Sequence, residues 1–480
     1  MDLKEEFKFT VIGHASIYIE FKDIKLLVDP WFLGSCYWRS WWNYPTIDKK
    51  IIDNLNPTHI YITHLHWDHY HGPSLRYLEK FNPTVILPKA CTKRMYEDCK
   101  KFFKFKNVFE IDHAKEFSIL KDFKLTHYQF GPPYIDSAVV IETKKNCILN
   151  ANDTKIFGLS LKQIISNHKK FDFVFRSHSS ASPFPHCLRG NKKVIAERNS
   201  FDYAKEFTYF ANVTKAKYAI PFASSHCYLR KESKIYNKFY SNPEFVRNTH
   251  SNITKPYQEC VVMPSGSSWS SLNGFTLSNH DYKNIEENIN NLEIKYSKYL
   301  ESQYEKEKRA KLNIKKTEEY FQKFFKANVW PLKISFNFGW LLFEQNTKFY
   351  YLVKYEKNRF TINKSKSLSN LNTNNLSFFV ELPTLVFNDC VIKYMFNTFT
   401  PSKLLTIHIK NKKSIKNINY LFFLLDLYEN DGLPWPKIFQ KRQLINRISR
   451  WREILDLANF YIQIVLFRKP ISSLYKTKNI

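Results

Sequence analysis

The feature that most constrains this chain is the segment YITHLHWDHYHG, which directly follows an apolar run. Four histidines and one aspartate stand within eight positions of it. A short apolar run with polar flanks predicts a buried strand, and a loop at the end of such a strand holds its side chains on a rigid sheet. Imidazole nitrogen and carboxylate oxygen are ligands that suit Zn, Fe or Mn. The segment therefore predicts half of a metal site, with the candidate ligands His64, His66, Asp68 and His69.

Apolar strand patterns alternate with helical patterns through the first 280 residues. Two of the later strand patterns also end in groups that can bind a metal. LNANDT carries Asp153, and IPFASSHC carries His226. This alternation predicts an α/β (α+β) fold in which the ends of several strands present one site.

The string His-x-His-x-Asp-His after a strand resembles the metallo-β-lactamase superfamily. That resemblance implies an αββα sandwich with the site at one edge, between the sheets. It also implies one or two divalent metal ions, Zn or Fe, with Asp153 bridging them and His226 as a late ligand. A further ligand normally comes from a motif ahead of Asp153. Here that stretch is LTHYQFGPPYIDSAVV, with Pro132 near the expected position, and His127, Asp136 or neither residue supplies the ligand.

A narrower resemblance covers residues 7–270. The segments GHASIYIEFKDIKLLVDPWFLGSCYW, ILNANDT, SSASPFP and YAIPFA resemble, in order and spacing, the catalytic region of the CMP-N-acetylneuraminate hydroxylases. That family is described with a Rieske iron–sulfur domain, whose cluster requires two Cys and two His. None of the eight cysteines here has a His two or three positions after it. If this chain activates oxygen, a separate donor protein must deliver the electrons.

Three hypotheses for function follow. The first is a metallo-hydrolase, in which metal-bound hydroxide attacks an anionic small molecule, such as an activated sugar or a phosphate ester, and Asp68 orients or deprotonates the water. The second is an iron-dependent monooxygenase that hydroxylates a sugar nucleotide. The third is a scaffold without catalysis, which would contain no stoichiometric metal. Hydrolysis is the first expectation, and hydroxylation is a close second.

Small and aromatic residues near the predicted site are candidates for substrate contact. The serine-rich loops could bind a phosphate or a sugar through hydroxyl and backbone N–H groups, or could simply be tight turns. Trp31 belongs to a tryptophan-rich loop that suits either stacking on a ring or core packing. The candidate substrate-binding residues are Ser179, Ser180, Ser224, Ser225 and Trp31.

The formal net charge of +29 favours an anionic substrate, but it is also typical of a general Lys- and Asn-rich composition. No RNA-binding motif is recognised, which disfavours a nucleic-acid partner. No apolar run reaches the length that spans a bilayer. The N-terminus shows no signal segment, and the cysteines have no paired spacing, so the sequence predicts a cytoplasmic protein.

The pattern changes after the first 280 residues, which we assign to a catalytic domain (1–280). An apolar stripe with 4-3-4-3 spacing predicts a long connecting helix over 281–330, and a smaller α+β accessory domain is predicted over 331–480. Near its end, the segment KRQLINRISRWREILDL mixes arginines with apolar residues. It predicts a core-facing helix with a charged outer face; the alternative is a helix that lies on a membrane surface.

Overall fold

The structure is a computed structural model that describes residues 6–131, 136–168, 170–179, 181–190, 198–253, 258–328, 333–467, 469 and 471–475. The strands of the N-terminal region are β1 (Phe7–Gly13), β2 (Ser16–Phe21), β3 (Ile24–Val28), β4 (Ser35–Cys36), β5 (Trp41–Asn43), β6 (His59–Tyr61), β7 (Thr84–Pro88), β8 (Val108–Ile111), β9 (Glu116–Leu120), β10 (Phe123–Phe130), β11 (Asp136–Thr143), β12 (Cys147–Asn152), β13 (Phe173–Ser177), β14 (Leu188–Arg189), β15 (Tyr218–Phe222), β16 (His226–Tyr228), β17 (Glu259–Cys260), β18 (Ser268–Ser270) and β19 (Gly274–Thr276). Its helices are α1 (Lys49–Asp53), α2 (Gly72–Leu78), α3 (Arg94–Phe102), α4 (Gly158–Asn167), α5 (Ser200–Thr214) and α6 (Pro243–Ile253).

The C-terminal region contains the strands β20 (Phe338–Glu344), β21 (Phe349–Glu356), β22 (Arg359–Ser365), β23 (Phe378–Glu381) and β24 (Thr406–Ile409). Its helices are α7 (Ile285–Lys295), α8 (Ser297–Arg309), α9 (Ile314–Ala327), α10 (Thr384–Lys393), α11 (Lys412–Glu429), α12 (Lys441–Ser449) and α13 (Trp451–Phe460).

Two large sheets form the N-terminal region. The first has the strand order β19-β18-β1-β2-β3-β6-β7-β8, and the second has the order β17-β15-β13-β12-β11-β10-β9. Phe9 of the first sheet packs edge-on against Phe173 and Phe175 of the second, in the core between the sheets. Val174 lies in a second core with residues of α4 and α5. Because β13 is covered on both faces, its residues 173–175 form a continuous apolar run rather than an alternating one.

The outer face of the first sheet is covered by α2 and α3, through Leu75, Leu78, Met95 and Cys99. The N-terminal region is therefore an αββα sandwich, as the sequence predicts. The ends of β3, β6, β12 and β15 lie toward the edge where the candidate site is found, so loops after buried strands supply its side chains.

The predicted long helix over 281–330 is wrong, because this segment folds as the three helices α7, α8 and α9. The first break is at Tyr296, whose ring stacks on Trp42 at a centroid distance of 4.0 Å. The second precedes α9, where Leu312 enters the large C-terminal core. The apolar stripe thus contacts two different cores, and a straight helix could not reach both.

The C-terminal region is α+β, and it shares a sheet and a core with the N-terminal region. Its sheet has the order β14-β24-β23-β20-β21-β22, so one strand comes from residues 188–189. Its core contains Phe321, Trp340 and Leu421 together with Trp38 and Trp41 of the tryptophan-rich loop. The domain limits given above therefore remain predictions. Within the described residues, none of the helices has the length and apolar content needed to cross a membrane.

The expectation for the helical tail is wrong in orientation. Leu444, Ile445, Ile448, Trp451 and Leu455 are exposed, although the sequence predicts that they face the core. Polar side chains of the same helices face the protein instead, where hydrogen bonds hold them.

Candidate metal centre

The loop after β6 holds its histidines at the end of a buried strand. Asp29, at the end of the neighbouring β3, fixes this loop: its carboxylate accepts hydrogen bonds from the Thr63 N–H at 2.7 Å and from the Thr63 hydroxyl at 2.8 Å. The same carboxylate lies 2.8 Å from Nδ1 of His69. A carboxylate on one imidazole nitrogen orients the ring and directs the other nitrogen toward a metal. Asp29 lies in one of the segments that carry the family resemblance, but its spacing to the histidines gives no sign of this role.

The predicted ligands converge with two further residues. One group is His64, His66 and Asp136, in which His64 Nε2 lies 2.7 Å from His66 Nδ1 and 3.6 Å from Asp136 Oδ1. A second group joins His64 and His69 to Asp153, whose Oδ2 lies 3.7 Å and 3.6 Å from their Nε2 atoms. His64 belongs to both groups, which places Asp153 beside the first.

A third group consists of Asp68, His69 and His14, a residue that the sequence analysis does not predict as a ligand. His14 Nε2 lies 2.9 Å from Asp68 Oδ2, and His69 Nε2 lies 3.3 Å from the same oxygen. His14 follows β1 directly, far from the motif in sequence, so only the sheet brings it to the site.

His226 lies beside this third group but is outside all three. Its ring stacks on Trp41 at 3.6 Å, and its centroid is 5.2 Å from that of His14. It lines the same cavity as Asp68 and Asp153. Its assignment as a ligand therefore stays a prediction.

The structure separates the two candidates for the missing ligand. His127 lies within β10, fully buried, with Nε2 2.8 Å from the carbonyl oxygen of Ile111, and it joins none of the three groups. Asp136 is the first residue of β11 and lies against His64 and His66. Pro132 lies outside the described residues.

Burial and neighbouring charge set the protonation of the first group. Burial, with the nearby His69, lowers the pKa of His64 to about 4, so its imidazole is neutral at pH 7 and can act as a ligand. Burial, with the nearby carboxylate of Asp153, raises the pKa of Asp136 to about 7. Like charges brought together in this way favour a bound cation.

Several buried polar atoms of the site have no hydrogen-bond partner among the described residues. They are Nε2 of His69, Oδ1 of Asp136, Oδ1 of Asp153, Nδ1 of His14 and Nδ1 of His226. Buried polar atoms are normally satisfied, so such a set of nitrogen and oxygen atoms requires an explanation. A divalent cation, or a pair of them, would satisfy the ligand atoms of His69, Asp136 and Asp153.

The centre opens into a cavity of about 330 Å³. Of the residues predicted to contact substrate, Ser179 and Ser224 line this cavity. Ser224 Oγ also accepts the N–H groups of His178 and Ser179, each at 3.1 Å. Lys155, which the sequence analysis does not single out, lines the cavity as well. The C-terminal region closes the cavity with Phe396, Asn397, Thr400, Pro401, Phe422 and Asp426.

The other candidate substrate contacts lie elsewhere. Trp31 is fully buried and is not among the lining residues, so it cannot contact a ligand in this cavity; Trp41 of the same loop lines it instead. Ser225 is also outside the lining, and its carbonyl accepts the N–H of Tyr44 at 3.0 Å. Ser180 lies outside the described residues.

Comparison with known proteins gives matches over part of the chain. Residues 8–172 match the model of the family described as a beta-lactamase superfamily domain. A cytidine monophosphate-N-acetylneuraminic acid hydroxylase from Asterias rubens is 30% identical over 162 residues, which cover 31% of this chain and 23% of that protein. A putative Rieske 2Fe-2S iron-sulfur protein from Mycolicibacterium smegmatis is 24% identical over 256 residues, covering 49% of this chain and 46% of that protein.

Among solved structures, CmlA, a diiron beta-hydroxylase from Streptomyces venezuelae, is 15% identical, with a TM-score of 0.39, and the match covers 55% of this chain and 54% of CmlA. The chain thus spans between about a quarter and a half of the curated relatives that it matches. Residues 8–172 are thus similar to a beta-lactamase superfamily domain, and this region of the chain resembles the catalytic region of the CMP-N-acetylneuraminate hydroxylases.

Proposed function

We propose that this chain is a metal-dependent enzyme that binds iron and hydroxylates an anionic small molecule, with a sugar nucleotide as the leading substrate class. The observation that carries this proposal is Asp136, a carboxylate that lies with His64 and His66 in one group of potential metal ligands. With Asp68 and Asp153 it gives the centre three carboxylates. Mixed imidazole and carboxylate donors suit iron as well as zinc and manganese, and two histidines with one carboxylate, as in His64, His66 and Asp136, are the ligand set of non-heme Fe(II) oxygenases.

The names of the relatives support the same chemistry. Those from Asterias rubens and Xenopus laevis are hydroxylases, and the one from Mycolicibacterium smegmatis is a putative Rieske protein. Hydroxylation converts a C–H bond to C–OH, with dioxygen, two electrons and two protons consumed and one water released. Bound iron would supply the redox chemistry that activates dioxygen. Because no Cys and His of these 480 residues stand at Rieske spacing, the proposal includes an electron donor outside this sequence.

The chain's own residues would position substrate and hold protons. The hydroxyl of Tyr37 donates to Asp68 Oδ1 at 2.6 Å, and burial together with the charge of Asp68 raises the pKa of Tyr37 well above its usual value. Tyr37 therefore stays protonated and fixes the Asp68 carboxylate. Lys155 and Ser179, on the cavity wall, would bind the anionic part of the substrate.

Hydrolysis of an activated sugar or phosphate ester is the second candidate. Hydrolysis needs no electron donor. All eight cysteines are free and buried, so none of them can exchange electrons at the surface of the protein. Zn or Fe would lower the pKa of bound water, and Asp68 would orient it.

Isotope labelling separates the two functions in one experiment. The iron-loaded protein is incubated with a CMP-linked sialic acid and a chemical reductant, once with labelled dioxygen and once with labelled water. Hydroxylation places the label from dioxygen in the product, whereas hydrolysis places the label from water there. A scaffold would give neither product and would contain no stoichiometric metal. Asp153→Ala and His66→Ala should each abolish metal retention and turnover; survival of both in the two variants would refute the site assignment.

A further inference from the structure

A large apolar surface lies on the helical tail. It is formed by the sides of α12 and α13 that point away from the rest of the protein. Of 26 exposed large apolar side chains among the described residues, 12 fall between residues 435 and 467. They are Trp435, Phe439, Leu444, Ile445, Ile448, Trp451, Ile454, Leu455, Tyr461, Ile462, Leu466 and Phe467. We call these twelve residues the tail face. Exposed apolar patches of this extent mark interaction sites.

The helices of the tail face are reversed relative to ordinary surface helices, because they bury their polar side and expose their apolar side. Gln443 and Asn446 are the buried residues of α12, and Glu453 and Asp456 are those of α13. Ile448 and Ile454 are each 62% exposed. A helix in water normally has the opposite arrangement.

Specific hydrogen bonds hold this orientation. Asn446 Nδ2 donates to the Lys89 carbonyl at 2.9 Å and to Gln129 Oε1 at 2.8 Å. Glu453 Oε1 accepts the N–H of Gly131 at 2.9 Å. Rotating the helices to bury their apolar side would leave these buried polar groups without partners, at a cost that opposes the rotation. Among the residues that the structure describes, none covers the tail face, so its removal from water requires a further surface.

Asp456 of α13 makes a further set of hydrogen bonds that holds this orientation. Asp456 accepts the N–H groups of Leu159 and Ser160 at 2.6 Å and 2.8 Å, and the Ser160 hydroxyl at 2.6 Å. It also turns a negative charge away from the tail face. Glu453 does the same, so both acidic residues between 435 and 467 point into the protein.

The charges beside the tail face are positive. Lys441 is exposed, and Arg447 and Arg452 are partly exposed, with the Arg452 guanidinium 4.6 Å from the ring of Trp451. Trp435, Trp451 and Tyr461 are residues that favour the boundary between headgroups and acyl chains. Apolar and aromatic side chains with flanking cations and no outward carboxylate complement an anionic lipid surface.

We propose that the tail face docks this protein on the surface of a bilayer that contains anionic phospholipid, with α12 and α13 lying in the plane of the interface. The apolar side chains enter the boundary of the acyl chains, while Lys441 and Arg452 contact phosphate groups. The same helices bind the end of β10 and the start of α4, so the docked surface is rigidly joined to the sandwich that carries the candidate metal centre.

Vesicle flotation with the full chain tests this proposal. Vesicles of phosphatidylcholine with about 30% phosphatidylserine should bind the protein, and vesicles of phosphatidylcholine alone should bind it several-fold less. Ile448→Glu with Ile454→Glu should reduce binding by at least about tenfold, because two apolar side chains would carry charge into the interface. Lys441→Glu should reduce binding by about fivefold and make it less sensitive to salt.

The matched control is Ile294→Glu, because Ile294 on α7 is 73% exposed and outside the tail face. It should bind vesicles like the parent. Since all the changed side chains are exposed, circular dichroism and metal content should be unchanged in every variant.

Two results would overturn the proposal. One is equal binding by the parent and the Ile448→Glu, Ile454→Glu variant. The other is no vesicle binding together with a parent dimer, seen by sedimentation, that the same variant dissociates; the tail face would then be an interface between two copies of the chain.

Discussion

Removing the carboxylate of Asp456 should destabilise the junction between the tail and the sandwich. This side chain is 2% exposed and accepts three hydrogen bonds from the first turn of α4. Phe157 precedes α4 and supplies no side-chain cap, so Asp456 replaces it from another helix. Asp456→Ala leaves two N–H groups and one hydroxyl without this acceptor.

Each of these donors bonds to a charged acceptor, for which about 1.5–3 kcal/mol per bond is typical. Burial raises the pKa of Asp456, so part of that gain already offsets the cost of desolvating the carboxylate. Water entering the vacated space would recover a further part. We therefore expect the free energy of unfolding to fall by about 3 kcal/mol, and by about half of that for Asp456→Asn.

Urea denaturation measures the change, and hydrogen exchange at the Leu159 and Ser160 amides localises it. The control is Glu305→Ala on α8, since Glu305 is 54% exposed in its pair with Lys308, and such surface pairs contribute less than about 1 kcal/mol. An Asp456→Ala variant as stable as this control, with both amides still protected, would refute the reasoning.

Three further predictions concern buried groups. Glu307→Ala should cost about 2–3 kcal/mol in urea denaturation, because the buried Arg230 guanidinium loses its two bonds to Glu307, at 2.5 Å and 2.7 Å, while it keeps its 3.2 Å bonds to Glu232 and the Trp38 carbonyl. His250 has its pKa lowered by burial from 6.5 to about 4, so the unfolded chain binds its proton more tightly and stability is lost as pH falls through that interval. His250→Gln should reduce this acid-induced loss by up to about 2–3 kcal/mol in denaturation curves at pH values from 7 to 4. Ser224→Ala should lower stability by about 1–2 kcal/mol, because the N–H groups of His178 and Ser179 lose their acceptor; unchanged stability with altered substrate binding would show that Ser224 serves the ligand alone.

The sequence predicts the local half of the site because that half is a local pattern. His64, His66, Asp68 and His69 are close in sequence, so one loop fixes their arrangement. His14 is 50 or more residues away and joins them only through the pairing of strands, which no spacing reveals. His127 and Asp136 lie on the two strands of one hairpin, β10 and β11. Only the position of each residue along its strand decides that Asp136, and not His127, reaches His64.

The C-terminal region shows a different limit. The apolar and polar sides of α12 and α13 are visible in the sequence, but the sequence does not show which side is buried. That is decided by polar partners at residues 129–131 and 159–160, which are hundreds of positions away. Likewise, β14, at residues 188–189, pairs with β24 of the C-terminal sheet. These two residues nevertheless lie within the predicted catalytic domain, 1–280.

The central claim is that Asp136 completes, with His64 and His66, a carboxylate-rich metal centre. The most direct test is elemental analysis of metal-free protein after anaerobic reconstitution with iron, on the parent, Asp136→Asn and His127→Gln. The account predicts that the parent and His127→Gln retain the same stoichiometric iron, and that Asp136→Asn binds it at least about tenfold more weakly. Full iron retention by Asp136→Asn, with loss of iron from His127→Gln, would contradict the account.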